Sequence, residues 1–148
     1  MTKQKVLFIC VHNSARSQMA EAWLNYTCKD FFQAESAGLE PGTINPLVLE
    51  VMREVGIDLA GKKTQRVFDV WKAGTMFQYV VTVCSEAEAD GCPIFPGVTT
   101  RLHWPFPDPS KLTGTETEKL QATRKIRNEI RTKIEAWCAE MCPAALAP

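Results

Sequence analysis

Cys10 and Arg16 flank the five residues Val11-His12-Asn13-Ser14-Ala15, which puts a nucleophile and a planar fork of donors at the two ends of one short loop. A guanidinium fork matches two oxygens of a tetrahedral oxyanion, and a cysteine attacks as its thiolate. The elements that position the pair are legible on either side. Val6 to Val11 is an apolar, β-branched run of buried-strand length, and it stops at His12-Asn13-Ser14, which favour turns and caps. Ser17 is then placed to cap a helix running on through Leu24. A loop between a strand end and a helix start can converge its N–H groups on an anion, and the helix dipole adds positive potential. The predicted cradle is therefore Val11, His12, Asn13, Ser14, Ala15 and Arg16, with Cys10 aimed into it. The competing reading makes Cys10 a small buried hydrophobe at a strand end. The strand–loop–helix context favours chemistry.

Three other residues belong to the same problem. Asp108 is the one acid in the stiff stretch Pro105-Phe106-Pro107-Asp108-Pro109, available to protonate a leaving oxygen. Cys84 closes the apolar strand Tyr79–Cys84, and Cys92 follows eight residues later. In parallel α/β sheets sites gather at the C-terminal ends of strands, where both Cys10 and Cys84 fall. Cys28 reads as core filler near a helix end. Cys138 and Cys142 stand four apart, a metal-binding spacing with no second ligand pair to complete it. Lys62-Lys63 reads as a solvated pair.

The chain of 148 residues is long enough for one domain with a substantial core, and 45% of it is hydrophobic. Lys+Arg and Asp+Glu both number 17, so bulk charge points to neither nucleic acid nor an anionic membrane. No apolar stretch approaches the roughly 20 residues of a membrane span, and no signal peptide is legible, so a cytoplasmic monomer is expected. In a reducing compartment six cysteines imply transient, catalytic disulfides instead of a structural framework.

The remaining elements alternate. A strand is predicted over Phe31–Ala37, and a helix starts at Asn45 (cap) and Pro46, ending at Gly56. A short helical segment spans Val67–Ala73, and strands span Tyr79–Cys84 and Val98–Trp104. A long last helix opens with the capping box Thr115-Glu116-Thr117-Glu118. Its stripe Leu120, Ile126, Ile130, Ile134, Trp137 and Met141 faces a core, and Arg124, Lys125, Arg127, Glu129, Arg131 and Lys133 read as its solvated side. Alternating strands and helices predict a parallel sheet covered on both faces. Residues 1–148 are read as a single oxyanion-binding α/β domain, with 143–148 a loose tail.

Cys10-Val11-His12-Asn13-Ser14-Ala15-Arg16-Ser17 resembles the oxyanion loop of the low-molecular-weight tyrosine phosphatase superfamily. Its longer form through Gln18-Met19-Ala20-Glu21 is similar to the thioredoxin-coupled arsenate reductases within it. The resemblance covers nearly the whole chain and implies a four-stranded parallel sheet of order 2-1-3-4. It also implies a cycle in which Cys10 attacks arsenate held by the loop and Arg16, while Asp108 protonates the departing oxygen. Ser17 would hydrogen-bond the Cys10 sulfur, and Asn13 would fix the loop's shape. Cys84 would then take Cys10 into a disulfide, releasing arsenite, and Cys92 would take over Cys84 and present the new disulfide to thioredoxin or a glutaredoxin. No cofactor is implied beyond that electron donor.

Some such reductases bind potassium beside the loop. The resemblance places Asn13, Glu21 and Ser36 at three ligand positions and the neutral Gln65 where an aspartate stands. With one carboxylate missing, no metal is expected, and Glu21 is predicted to bond Asn13 directly.

Two further readings compete. A cysteine phosphatase needs only Cys10, Arg16 and Asp108, leaving Cys84 and Cys92 idle. Ser110-Lys111 follow Asp108-Pro109 here, where eukaryotic-type phosphatases carry pocket tyrosines. An oxyanion sensor would bind without turnover. Two electrons for an oxyanion require a second thiol, which Cys84 supplies, so a reductase ranks first.

Overall fold

The computed structural model describes residues 3–85 and 99–141. Cys92, Cys142 and the predicted tail lie outside them. The described elements are β1 (Gln4–Cys10), α1 (Arg16–Thr27), β2 (Phe32–Gly38), α2 (Pro46–Glu54), α3 (Val67–Lys72), β3 (Tyr79–Thr82), β4 (Thr100–His103) and α4 (Glu116–Met141). A 3-10 turn at Pro109–Lys111 precedes α4. The strands form one parallel sheet, as the alternation of elements predicted, in the order β2-β1-β3-β4 that the family resemblance implied.

β1 is apolar throughout its buried length because both of its faces are covered. Val6, Phe8 and Cys10 point into a core shared with Met19 and Trp23 of α1, Val51 and Met52 of α2, and Ile130 and Ile134 of α4. Leu7 and Ile9 point the other way, onto Val67 and Val70 of α3 with Phe77 and Val80. From β1 the chain goes to β2 on one side and later returns to β3 on the other. The C-terminal end of β1 therefore faces the crevice where strand order reverses, the usual ligand site of an open α/β sheet.

Local signals account for most element ends. Asn45 Oδ1 accepts from the Leu47 amide at 2.8 Å, with Pro46 at the first helical position. Thr115 and Glu118 close the capping box reciprocally, at 3.1 and 3.4 Å. Three expectations change. Ser17 is not the cap of α1: Ala15 holds that position without a side-chain cap, and Ser17 turns inward from the first turn. Met141 is 37% exposed, off the buried stripe of Ile126, Ile130, Ile134 and Trp137. Arg127 is buried instead of solvated, donating to the Val51 carbonyl at 2.8 Å and to Glu54 Oε1 at 2.9 Å. A cation at the end of α2 satisfies carbonyls that the helix itself cannot.

Cys28 also departs from its reading as filler. It is joined to Cys138 in a disulfide, where no structural disulfide was expected. Packing of α1 against α4 brings the two Cα atoms to 6.4 Å, within disulfide range.

Candidate active site

The loop that follows β1 is shaped by where its carbonyls go. The carbonyls of Cys10, Val11, His12 and Ser14 accept from the amides of Leu39, Glu40, Gly42 and Asn45, at 3.1, 2.7, 2.9 and 2.9 Å. In a trans peptide the next N–H points opposite its carbonyl. Tying four carbonyls to the 39–45 segment therefore turns the amides of Val11, His12, Asn13 and Ala15 to the other side, a nest suited to an oxyanion. Gly38, at the end of β2, lets this happen. A Cβ there would lie 2.7 Å from both Asn13 N and Val11 O. Only a glycine permits the loop to pass so close.

Asn13 holds the turn itself. It has φ of 53°, the left-handed region that asparagine tolerates better than most residues, and it is fully buried. Its Oδ1 accepts from Gln18 Nε2 at 3.1 Å and from the Gln65 amide at 3.0 Å. Its Nδ2 donates to Ser17 Oγ at 2.8 Å, and Ser17 Oγ lies 2.8 Å from Cys10 Sγ. Ser17 Oγ thus bridges Asn13 and the sulfur, and its own hydrogen can be donated to a sulfur that acts as acceptor. The predicted pairing of Ser17 with Cys10 and the shaping role of Asn13 both have their geometry here.

Arg16 is buried at the start of α1. Its Nη1 donates to the Phe106 carbonyl at 3.3 Å, and its Nη2 meets Asp108 Oδ2 at 3.4 Å. These long contacts bring the predicted arginine and acid together across the sheet end. Burial pushes the Asp108 carboxyl upward. Hydrogen bonds from the Ser110 hydroxyl and amide, with the charges of Arg16 and Lys111, outweigh burial and hold it below the usual carboxylate range. His12 is exposed and its ring bonds the Glu40 carbonyl, so it contributes backbone to the cradle. A cleft beside the loop is bordered by Ser14, Thr43, Asn45, Pro109 and Ser110, and no described residue lining it is aromatic.

Cys84 is fully buried just past β3. Ile9 pairs with Thr82, and the Val83 amide extends the ladder to the Ile9 carbonyl at 2.9 Å. Cys10 is thus level with Val83, one residue short of Cys84 on the neighbouring strand path. Cys28–Cys138 lies elsewhere: α1, 12 residues long, separates it from the loop by about 18 Å.

Sequence reasoning missed four supporting residues. Gly38 was read as punctuation, and Gln18 and Gln65 were not read as props of Asn13. Lys62, read as solvated, has its Nζ 2.6 Å from Oε2 of the buried Glu21. Glu21 does not turn to Asn13 as predicted; its Oε1 accepts from Ser36 Oγ at 3.0 Å. Asn13 is already engaged by Gln18, Gln65 and Ser17.

A cysteine at the foot of a loop whose amides converge, at the end of β1, defines a class, and comparison with known proteins agrees. Residues 5–145 match the low molecular weight phosphotyrosine protein phosphatase family, and the chain belongs to it. It is 38% identical over 139 residues to an arsenate reductase of Halalkalibacterium halodurans, covering 93% of this chain and 96% of that one. Among solved structures, an arsenate reductase from Archaeoglobus fulgidus matches with a TM-score of 0.69 at 29% identity, over 89% of this chain and 97% of its own. A thioredoxin-dependent arsenate reductase of Corynebacterium glutamicum matches with a TM-score of 0.61 at 30% identity, over 90% of this chain and 63% of its own.

Proposed function

We propose that this protein reduces arsenate to arsenite, with Cys10, Cys84 and Cys92 as a thiol relay and thioredoxin as the electron donor. The observation that carries the reading is the buried Cys84 at the end of the strand beside Cys10. Hydrolysis of an ester has no use for that thiol, whereas a two-electron reduction requires one.

The Cys10 thiolate attacks arsenic, and a hydroxyl leaves as water with a proton from Asp108. In the state described, Asp108 is held ionised beside Arg16. An arriving oxyanion draws the guanidinium to itself and sets negative charge next to the carboxyl, which favours protonation of Asp108. Cys84 then attacks the Cys10 sulfur. A sulfur–sulfur bond forms, the sulfur–arsenic bond breaks with its electron pair on arsenic, and As(V) leaves as As(III). Cys92 attacks Cys84, restoring the Cys10 thiolate, and a dithiol protein reduces the Cys84–Cys92 disulfide. The aliphatic and polar border of the cleft suits a small oxyanion better than an aromatic ester.

The test is NADPH consumption with arsenate, thioredoxin and thioredoxin reductase, with a glutaredoxin arm alongside. Turnover is expected with thioredoxin, abolished by Cys10→Ser and by Cys84→Ser, while slow hydrolysis of an aryl phosphate survives Cys84→Ser. After one round of arsenate without reductant, mass mapping should find Cys84 joined to Cys92. Absence of arsenate-dependent turnover with either donor would leave the phosphatase as the better reading.

A further inference from the structure

The buried carboxylate of Glu21 needs a counterion, and the residues around it decide which. A potassium ion would require oxygen donors converging on one point. Asn13 Oδ1 instead already accepts two N–H groups, Gln65 directs Nε2 to the Ser36 carbonyl at 2.9 Å, and the Lys62 ammonium sits 2.6 Å from Glu21 Oε2. With Lys62 in place the set does not fit an alkali cation. Glu21 is 6% exposed, while the Lys62 side chain is 39% exposed, so the lysine reaches in from the surface to meet it.

We propose that Lys62 is the built-in counterion of Glu21 and a positioning residue for Cys10, making the nucleophile loop independent of any alkali cation. The juxtaposition behind this is a continuous chain of bonds. Lys62 meets Glu21; Glu21 Oε1 accepts from Ser36 Oγ; the Ser36 carbonyl accepts from Gln65 Nε2; the Gln65 amide donates to Asn13 Oδ1; Asn13 Nδ2 donates to Ser17; Ser17 meets the Cys10 sulfur. Removing the ammonium leaves a buried carboxylate with Ser36 Oγ and no positive partner, a costly state. Its demand for donors is passed through Ser36 and Gln65 to Asn13, the residue that holds Ser17 on the sulfur. A small cation entering beside Glu21 would relieve the same demand.

The inference rests on Cys10 as the nucleophile but not on arsenate or the relay, so it is read without substrate. The experiment measures the rate of iodoacetamide labelling of Cys10, mapped by mass, together with melting temperature, in choline, sodium and potassium chloride at one ionic strength. Wild type is expected to give the same values in all three salts. Lys62→Met should label about tenfold more slowly in choline, as for loss of a charged hydrogen-bond partner. Potassium or sodium should restore much of that loss, and Lys62→Arg should label within about twofold of wild type. A severalfold gain of wild type in potassium would overturn the proposal by revealing a cation site that Lys62 does not replace. A Lys62→Met protein with unchanged labelling would overturn it by making the lysine a surface ornament. A loss that neither arginine nor a cation repairs would overturn it by assigning Lys62 a role other than charge. Failure of wild-type Cys10 to label faster than an unfolded thiol is a separate outcome, and it removes the nucleophile assignment itself.

Discussion

At the scale of single residues, the chemistry depends on which atom donates to which. Ser17 Oγ receives a hydrogen from Asn13 and lies against the Cys10 sulfur, at 2.8 Å on each side. A thiolate can only accept, so in the attacking state this hydroxyl is the donor, and hydrogen bonds to a charged acceptor are stronger than neutral ones. Ser17→Ala should therefore slow labelling of Cys10 by about tenfold at neutral pH. The melting temperature should also fall by several degrees, since the change leaves the buried Asn13 Nδ2 without its acceptor. Equal labelling rates in the two proteins would remove Ser17 from the site. Asp108 illustrates the same dependence: Ser110, Arg16 and Lys111 around it outweigh its burial and hold its carboxyl below the usual carboxylate range.

At the scale of elements, β2 is as much a part of the site as β1. Its last residue, Gly38, supports the oxyanion loop from beneath, and the 39–45 segment that leaves it collects the loop's carbonyls. The atoms that a methyl group at position 38 would meet are backbone atoms of Val11, His12 and Asn13, which cannot swing aside as a side chain would. Gly38→Ala should displace the loop, destabilise the fold by about 1–3 kcal/mol and lower turnover by roughly 100-fold. Oxyanion protection against thermal unfolding should disappear with it. Wild-type protection in the variant would show that the loop tolerates the shift.

At the scale of the molecule, α4 locks the first half of the chain to the last. Glu54, at the end of α2, meets Arg124 at 2.6 Å and the buried Arg127 at 2.9 Å. The hydrogen bonds of Arg124, joined by those of Arg127 against the opposing effect of burial, lower the Glu54 carboxyl from 4.5 to about 2. A carboxyl lowered in the folded state contributes stability above its unfolded value and loses it as pH falls through the folded one. The contribution is thus whole above about 4.5 and gone near 2. Glu54→Gln should melt a few degrees lower than wild type at pH 7. The gap should close as pH is lowered through that window; a gap that persists at the acid end would assign the effect to packing instead of charge.

Local pattern carried a great deal here. The apolar run of β1, the turn residues after it and the cysteine–arginine spacing located the Cys10–Arg16 loop, because strand length, turn chemistry and helix starts are short-range properties of neighbouring residues. The caps at Asn45 and Thr115 followed from the same kind of signal, whereas the sheet order came from the family resemblance. Contacts between residues remote in sequence were beyond that reach. Nothing around Gly38 announces that a loop from β1 will rest on it. Nothing around Lys62-Lys63 separates a solvated pair from a counterion to Glu21, nor does the helical stripe of α4 show that Arg127 turns inward or that Cys28 meets Cys138. Those outcomes depend on which surfaces meet once the sheet is assembled: burial then makes an unpaired charge or a single added methyl costly, and only the tertiary structure decides which residues carry that burden.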